Sequence, residues 1–357
     1  MRDFLIIGGG IGGISAAARL SELGSVTVLE MEDALGCHAS GRSAAMFEEN
    51  YGNASTVALN RASAAHLREN GYLSPRGFLL IGGPGEEAGF CRDARDLGLH
   101  EIPAAEARAR VPVLRPGRVT LAAIHEEAMD LDADRMLQDF AKSARANGAA
   151  ILTRRTVTAI SRTANGWEVI AGGEAHEARI LVNAAGAWVD RIAALAGIAP
   201  IGIQPRRRSM ARLPAPGGLD VTRWPMLMGV GEHWYAKPDA GKLLVSPADA
   251  DLVEPMDAYA DDMVLAEGLA RYEEMVTEPV TRVESNWAGL RSFVADGSLV
   301  LGPDPDEPAF LWCAAQGGYG MQTAPAASRL VADLAAGRTP ELDAAAVAAL
   351  TPDRLRR

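Results

Sequence analysis

Cysteine is scarce in these 357 residues: Cys37, Cys91 and Cys313 stand far apart and form no CxxC pair. Neither a disulfide framework nor a zinc site is suggested, and a reducing cytoplasm is the expected setting. Aromatic residues make up only 5%, and basic charge is outweighed, with 35 Lys and Arg against 46 Asp and Glu for a net charge of −11. So acidic a chain offers no basic stripe for nucleic acid. No run approaches the roughly 18 apolar residues of a membrane span, and no internal repeat or low-complexity tract interrupts the chain. What remains is ordinary globular composition, 48% hydrophobic and 23% charged, at a length suited to two closely packed domains.

Met1-Arg2-Asp3 followed by Phe4-Leu5-Ile6-Ile7 imitates a signal peptide, but Asp3 spoils the basic start and glycine fills five of the six positions from 8 to 13. The segment is expected to belong to the mature fold. Phe4–Ile7 reads as a strand buried on both faces. Gly8, Gly10 and Gly13 then spell GxGxxG around Ile11, a helix is expected over Ile14 to Leu23, and a second strand, Val26 to Leu29, ends in Glu30. Gly8 permits the tight turn, Gly10 lets backbone approach a pyrophosphate, and Gly13 lets helix and strand pack closely. The helix N-terminus offers N–H groups to phosphate, and Glu30 would accept from a ribose 2′-hydroxyl. This is a dinucleotide-binding unit. Its signature does not separate FAD from NAD, and its place at the start of the chain favours FAD.

Further on, helical spacing marks 54–70, 134–147, 261–276 and 322–336, and apolar runs predict strands at 77–82, 150–153, 178–183, 299–302 and 310–315. Val157–Ile160 and Trp167–Ile170 suggest a hairpin or meander, and a polar, Arg/Pro-rich stretch from Pro205 to Met228 marks a second region. The expected fold is α/β: a Rossmann-like FAD-binding domain built from 1–75, 145–205 and 285–345, with a mixed-sheet α+β substrate domain from 76–144 and 206–284.

Four segments sharpen the reading: Gly8–Gly13 with Glu30, Ser40-Gly41-Arg42-Ser43-Ala44-Ala45, Asn183-Ala184-Ala185-Gly186-Ala187-Trp188, and Gln316-Gly317-Gly318-Tyr319-Gly320. Together they resemble the FAD-dependent D-amino-acid oxidase superfamily, which includes glycine and sarcosine oxidases. Gln204–Ser209, Tyr235–Gly241 and Trp287–Gly297 look most similar to bacterial D-arginine dehydrogenases. The likeness runs in order through nearly the whole chain. It implies non-covalent FAD, with Ser40–Ala45 under the flavin and ribityl chain, Val157 meeting the adenine through its backbone, and Asn183–Gly186 with Trp188 closing the site. Gln316–Gly320 precedes a helix with Gln322 in its first turn; such an N-terminus can stabilise negative charge on a reduced flavin.

The resemblance also implies the reaction: α-hydrogen transfer as hydride from a D-amino acid to flavin N5, giving an imino acid that hydrolyses to a keto acid and ammonia. Arg291, in the apolar setting of Trp287, Leu290 and Phe293, needs a partner for its charge. Arg208 lies in the run Arg206-Arg207-Arg208, a pattern more often a solvated face, and only the resemblance singles it out. Both would grip the substrate carboxylate, Tyr235 would hydrogen-bond it, Tyr51 would line the pocket, and the Gly318 carbonyl would accept from the amine. Two positions depart from the D-arginine enzymes: Met46 replaces a pocket histidine, and Phe78 replaces the glutamate that grips the guanidinium. A neutral or apolar side chain is therefore expected. Glu48 and the adjacent Glu49 are either solvated loop charges or a relocated cation clamp. Besides the substrate, the expected partner is an electron acceptor, oxygen or quinone-like. Open alternatives are a secondary-amine oxidase or dehydrogenase acting on sarcosine or proline, an NAD-dependent reductase, and a non-catalytic flavin-binding subunit.

Overall fold

The apolar run at the start of the chain lies at the centre of a twisted sheet. In the computed structural model, which describes residues 1–356, the strand Arg2–Ile7 lies between Val26–Leu29 and Glu174–Asn183, both parallel to it. Alternate residues of one strand feed opposite faces. Phe4 and Ile6 join Ile14, Met136 and Leu330 in a core formed by helices Ile11–Leu20, Ala133–Ala146 and Gly320–Ala335. Leu5 and Ile7 join Trp167, Ile192 and Phe310 on the other side. Ala150–Leu152 and Phe310–Ala314 extend the parallel set, and Val300–Pro303 closes one edge antiparallel. Val157–Thr163 and Gly166–Ala171 form the expected antiparallel meander. The arrangement is a mixed α/β fold.

Two helices start two or more residues earlier than the sequence predicts. The first begins at Ile11 rather than Ile14, because Gly8 at φ +113° turns the chain at once out of the strand and Gly10 serves as the N-cap. The helix expected from Gln322 begins at Gly320. A second sheet runs in the order Ser285–Phe293, Gln204–Leu213, Lys242–Ser246, Tyr235–Asp239, Met226–Gly229, Phe78–Gly82, Leu121–His125, His100–Glu101. Its strand Gln204–Leu213 carries the arginine run, which is not a solvated face. Strand alternation splits it: Arg207 pairs with Asp249 at 3.1 Å and Asp251 at 2.8 Å, whereas Arg208 points into a cleft. Met46–Phe47, Met129–Leu131 and Leu73–Pro75 form a small third sheet. Among the described residues no helix is long and apolar enough to cross a membrane.

Candidate active site

A cleft of about 460 Å³ opens where the parallel strands end, lined by Ile7, Leu29, Ala184 and Cys313, and it continues to the second sheet. The carboxyl ends of parallel strands are where open α/β sheets take their ligands. Gly8 and Gly10 line the cleft with Ile11, while Gly13 does not. Gly13 acts by contact: a Cβ there would overlap the Gly8 carbonyl, and one at Gly8 would overlap that of Ala184. The Gly10, Gly12 and Gly13 N–H groups have no acceptor among the described residues, and Ile11 N–H donates to Ser40 Oγ at 2.9 Å. Such a row of free donors at a helix start fits a pyrophosphate. Glu30 is buried at the cleft wall, its carboxylate fixed by the Gly9 N–H at 2.5 Å and the Glu32 N–H at 2.8 Å. Lone pairs remain for a ribose hydroxyl.

Val157, Ala185, Gly186 and Trp188 line the cleft, and the Trp188 ring meets His38 at 4.9 Å. Arg42, Ser43 and Ala44 line the cleft too, whereas Gly41 and Ala45 do not. Gly41 N–H instead donates to the Gly36 carbonyl at 2.7 Å. The Arg42 guanidinium is no free cation: it donates to the carbonyls of Cys37, Ala258 and Ala288 and to Asp257. Gly317, Gly318 and Gly320 form part of the cleft wall, but Tyr319 and Gln322 do not. Tyr319 packs against Tyr51 and Phe293, and Gln322 Oε1 accepts from the Glu48 N–H at 3.1 Å. Burial pushes the Cys313 thiol up to about 12, which keeps it protonated.

At the second sheet the cleft meets two guanidinium groups. Arg208 and Arg291 sit on neighbouring strands, offset by two residues, and both line the cleft. Between them stands a carboxylate that sequence reasoning missed, that of Glu232. Arg208 Nη1 donates to Glu232 Oε1 at 2.8 Å, Arg291 Nη1 lies 3.5 Å from the same oxygen, and the Tyr51 hydroxyl donates to both oxygens at 3.2 Å. Glu232 stands at φ +53° in the turn Val230–Glu232. One signal was present: an acid in the mostly apolar stretch Met226–Tyr235 must find a counter-charge. Burial alone would raise the Glu232 carboxyl, but Arg291 and Arg208 outweigh it and hold it below the usual carboxylate range. Burial alone would lower the Arg291 guanidinium, yet Tyr51, Tyr235 and Glu232 hold it above its ordinary value. The Tyr235 ring lies 5.8 Å beneath Arg208. Gly318 packs closely on the anchor, and a Cβ there would come within 2.9 Å of Arg291 Cζ and displace the guanidinium.

Tyr51, Met46 and Phe78 do not line the cleft. Phe78 is 4% exposed and shares an apolar cluster with Tyr235, Leu80 and Met228, against which Met46 and Tyr51 pack. The expectation that Glu48 is a solvated loop charge is corrected: it is 4% exposed, with Oε2 2.7 Å from His125 Nδ1. Burial pushes its carboxyl up, and His125 opposes the rise. Glu49 pairs with Arg61 at 3.1 Å.

Comparisons with known proteins agree with this geometry. FAD-dependent oxidoreductase domain-containing protein 1 from Bos taurus is 29% identical over 174 residues, 44% of this chain and 36% of that protein. The match thus spans little more than a third of the relative. Whole-chain likeness is found to L-proline dehydrogenase from P. horikoshii, with TM-score 0.84 and 23% identity over 99% of this chain and 98% of that one. Glycine oxidase from Geobacillus kaustophilus gives TM-score 0.82 and 22% identity over 97% of each chain. At those identities the shared property is the fold. The family described as FAD dependent oxidoreductase matches residues 3–334, a span that takes in the glycine turn, Glu30, both arginines and the Gly317–Gly320 wall. The chain belongs to that family of FAD-dependent oxidoreductases.

Proposed function

We propose that this chain oxidises the Cα–N bond of a carboxylate-bearing amine, with a neutral D-amino acid as the favoured substrate. One observation supports this above the others: Arg208 and Arg291 already hold a carboxylate, that of Glu232, at the end of the cleft. A substrate carboxylate presents the same chemistry to the same donors. FAD, when bound, would supply the two-electron acceptor for an α-hydrogen leaving as hydride, and water would convert the resulting imino acid to a keto acid and ammonia. The protein's part is orientation. The two arginines fix the carboxylate, Tyr235 adds a hydroxyl, and the Gly318 carbonyl accepts from the neutral amine. The N-terminus of Gly320–Ala335 lies at the cleft and favours negative charge there. An acceptor, oxygen or quinone-like, completes the cycle.

On this reading the first sheet and its helices hold the cofactor, from 1–75, 145–205 and 285–345, and the segments 76–144 and 206–284 hold the substrate. One amendment is proposed: Ser285–Phe293 goes with the second sheet, because its register partners are Gln204 to Arg212. Secondary amines are the second reading. Proteins of the same fold include an L-proline dehydrogenase and a glycine oxidase, and a carboxylate grip suits proline or sarcosine equally. The likeness to D-arginine dehydrogenases rests on sequence motifs alone.

The purified protein is expected to be yellow and to release its FAD on denaturation; flavin that stays on the denatured chain contradicts the non-covalent reading. Anaerobic bleaching of that flavin by a panel of D- and L-amino acids, proline and sarcosine tests the reaction. If no amine or amino acid bleaches it, the chain is a flavin-binding subunit rather than an amine oxidoreductase. Within the panel, D-methionine or D-phenylalanine is expected to exceed D-arginine in kcat/KM by about tenfold or more, roughly 1.4 kcal/mol. The wall behind the anchor is Phe78 and Met46, and the nearby carboxylate, Glu232, is already paired. Since Glu48 is bonded to His125, Glu48→Gln should leave the ratio of D-arginine to D-methionine unchanged, and a selective loss of D-arginine turnover would make Glu48 its cation partner. D-arginine equal to D-methionine would show that a cation finds a partner here.

A further inference from the structure

Lys237 is one of three lysines in the chain and the only one that is buried. It stands two residues beyond Tyr235 on the strand Tyr235–Asp239, so its side chain leaves the same face of the second sheet as the Tyr235 ring. An ammonium out of water needs partners, and these come from outside that sheet. Nζ donates to the carbonyls of Ala44 at 2.5 Å and Ala45 at 3.1 Å. It also lies 2.8 Å from Asp130 Oδ1, an electrostatic contact outside hydrogen-bonding angles. Asp130 is gripped in turn by Arg76, whose Nε donates to Oδ2 at 2.7 Å. Arg76 Nη1 donates to the carbonyls of Thr222 and Trp224 at 2.7 and 2.9 Å.

The two carbonyls that Lys237 holds belong to the cleft wall. Ser43 and Ala44 line it, and Ala45 stands at φ +53°. A left-handed residue with a Cβ persists only where its surroundings over-determine it. Here the Leu131 N–H and Lys237 Nζ both donate to the Ala45 carbonyl. Lys237 itself does not line the cleft.

We infer that Lys237 is a positioning residue: it fastens the Ser43–Ala45 turn, on the cofactor side of the cleft, to the strand that carries Tyr235, and so sets how the flavin and the carboxylate anchor stand relative to one another. The inference rests on the proposed placement of FAD against Ser43 and Ala44. Displacing a reacting centre by about 1 Å lowers a rate as much as 100-fold, so a tie acting at a distance has a measurable consequence.

Lys237→Met tests it. The fold should survive, since Asp130 keeps Arg76 and the Ala45 carbonyl keeps the Leu131 N–H, although the Ala44 carbonyl loses its donor and Asp130 Oδ1 its ammonium. Two readouts need no substrate: FAD affinity of the apoprotein and the visible circular dichroism of bound flavin. FAD is expected to bind about tenfold more weakly with an altered dichroism, and kcat for an amine found by bleaching should fall about tenfold with KM within roughly threefold. Wild-type FAD affinity and dichroism in the variant overturn the inference. If Lys237→Met does not fold, Lys237→Gln, whose shorter side chain cannot span to both carbonyls, is read the same way, and wild-type values there overturn it equally. A wild-type chain that takes up no FAD removes the cofactor placement and this inference with it, and that failure shows before any substitution is compared.

Discussion

Arg291→Met is expected to lower kcat/KM for a carboxylate-bearing substrate by about 30- to 1,000-fold, or 2–4 kcal/mol, while leaving FAD bound. The side chain is part-buried, and the Tyr51 hydroxyl and the Glu232 carboxylate neighbour its Nη1 at 3.4 and 3.5 Å. Methionine keeps the aliphatic stem, and Glu232 keeps its 2.8 Å bond from Arg208, so the resident acid is not stranded. What disappears is one of the two cations facing the substrate carboxylate. If the grip is as strong in the ground state as in the transition state, the loss appears in KM; if it tightens during hydride transfer, kcat falls as well. An unchanged kcat/KM, with FAD retained, would mean that Arg291 serves only to hold Glu232.

That Arg291 was readable at all shows which kind of information is local. Its apolar neighbours in sequence are also its neighbours in the strand, so an unpaired charge among them is visible without a structure. The dinucleotide turn is local for the same reason: strand, glycines, helix and acid lie within thirty residues, and overlaps such as that of Gly13 with Gly8 are set by the turn itself. Ion pairs across the fold carry no such mark. Glu48 meets His125, 77 positions away, and Glu232 meets Arg208, 24 positions away, so neither pairing follows from spacing. The Arg206–Arg208 run misleads differently. As a block it reads as a solvated face, but a period of two sends Arg207 to Asp249 and Arg208 into the cleft. Phe78 and Met46 were legible as apolar but not as a second layer, because depth behind the anchor depends on how the sheets are stacked.

Glu232→Gln is expected to tighten the binding of a non-reacting carboxylate by about 10- to 100-fold, the roughly 1.5–3 kcal/mol of a charge-assisted hydrogen bond. In the wild type a ligand carboxylate must share or displace the one that Arg208 and Arg291 already hold. Glutamine keeps the length of the side chain and one acceptor for Arg208 or Tyr51, but gives up the charge. Trifluoroacetate is a suitable probe because it stays ionised, and its binding is read from the absorbance of the bound flavin. The pH dependence follows from the direction in which Glu232 is shifted. Its two arginines hold the carboxyl below the ordinary value despite burial, so it remains ionised and paired from about pH 6 to 9. The advantage of Glu232→Gln should therefore be constant over that range. It should shrink only at acid pH, as the wild-type carboxyl protonates through its lowered value and frees the arginines by itself. Weaker rather than tighter binding in the variant would reverse the assignment: Glu232 would then orient the guanidinium groups for the substrate instead of competing with it. The substrate carboxylate would in that case bind beside the acid, on the N–H groups that Glu232 leaves free.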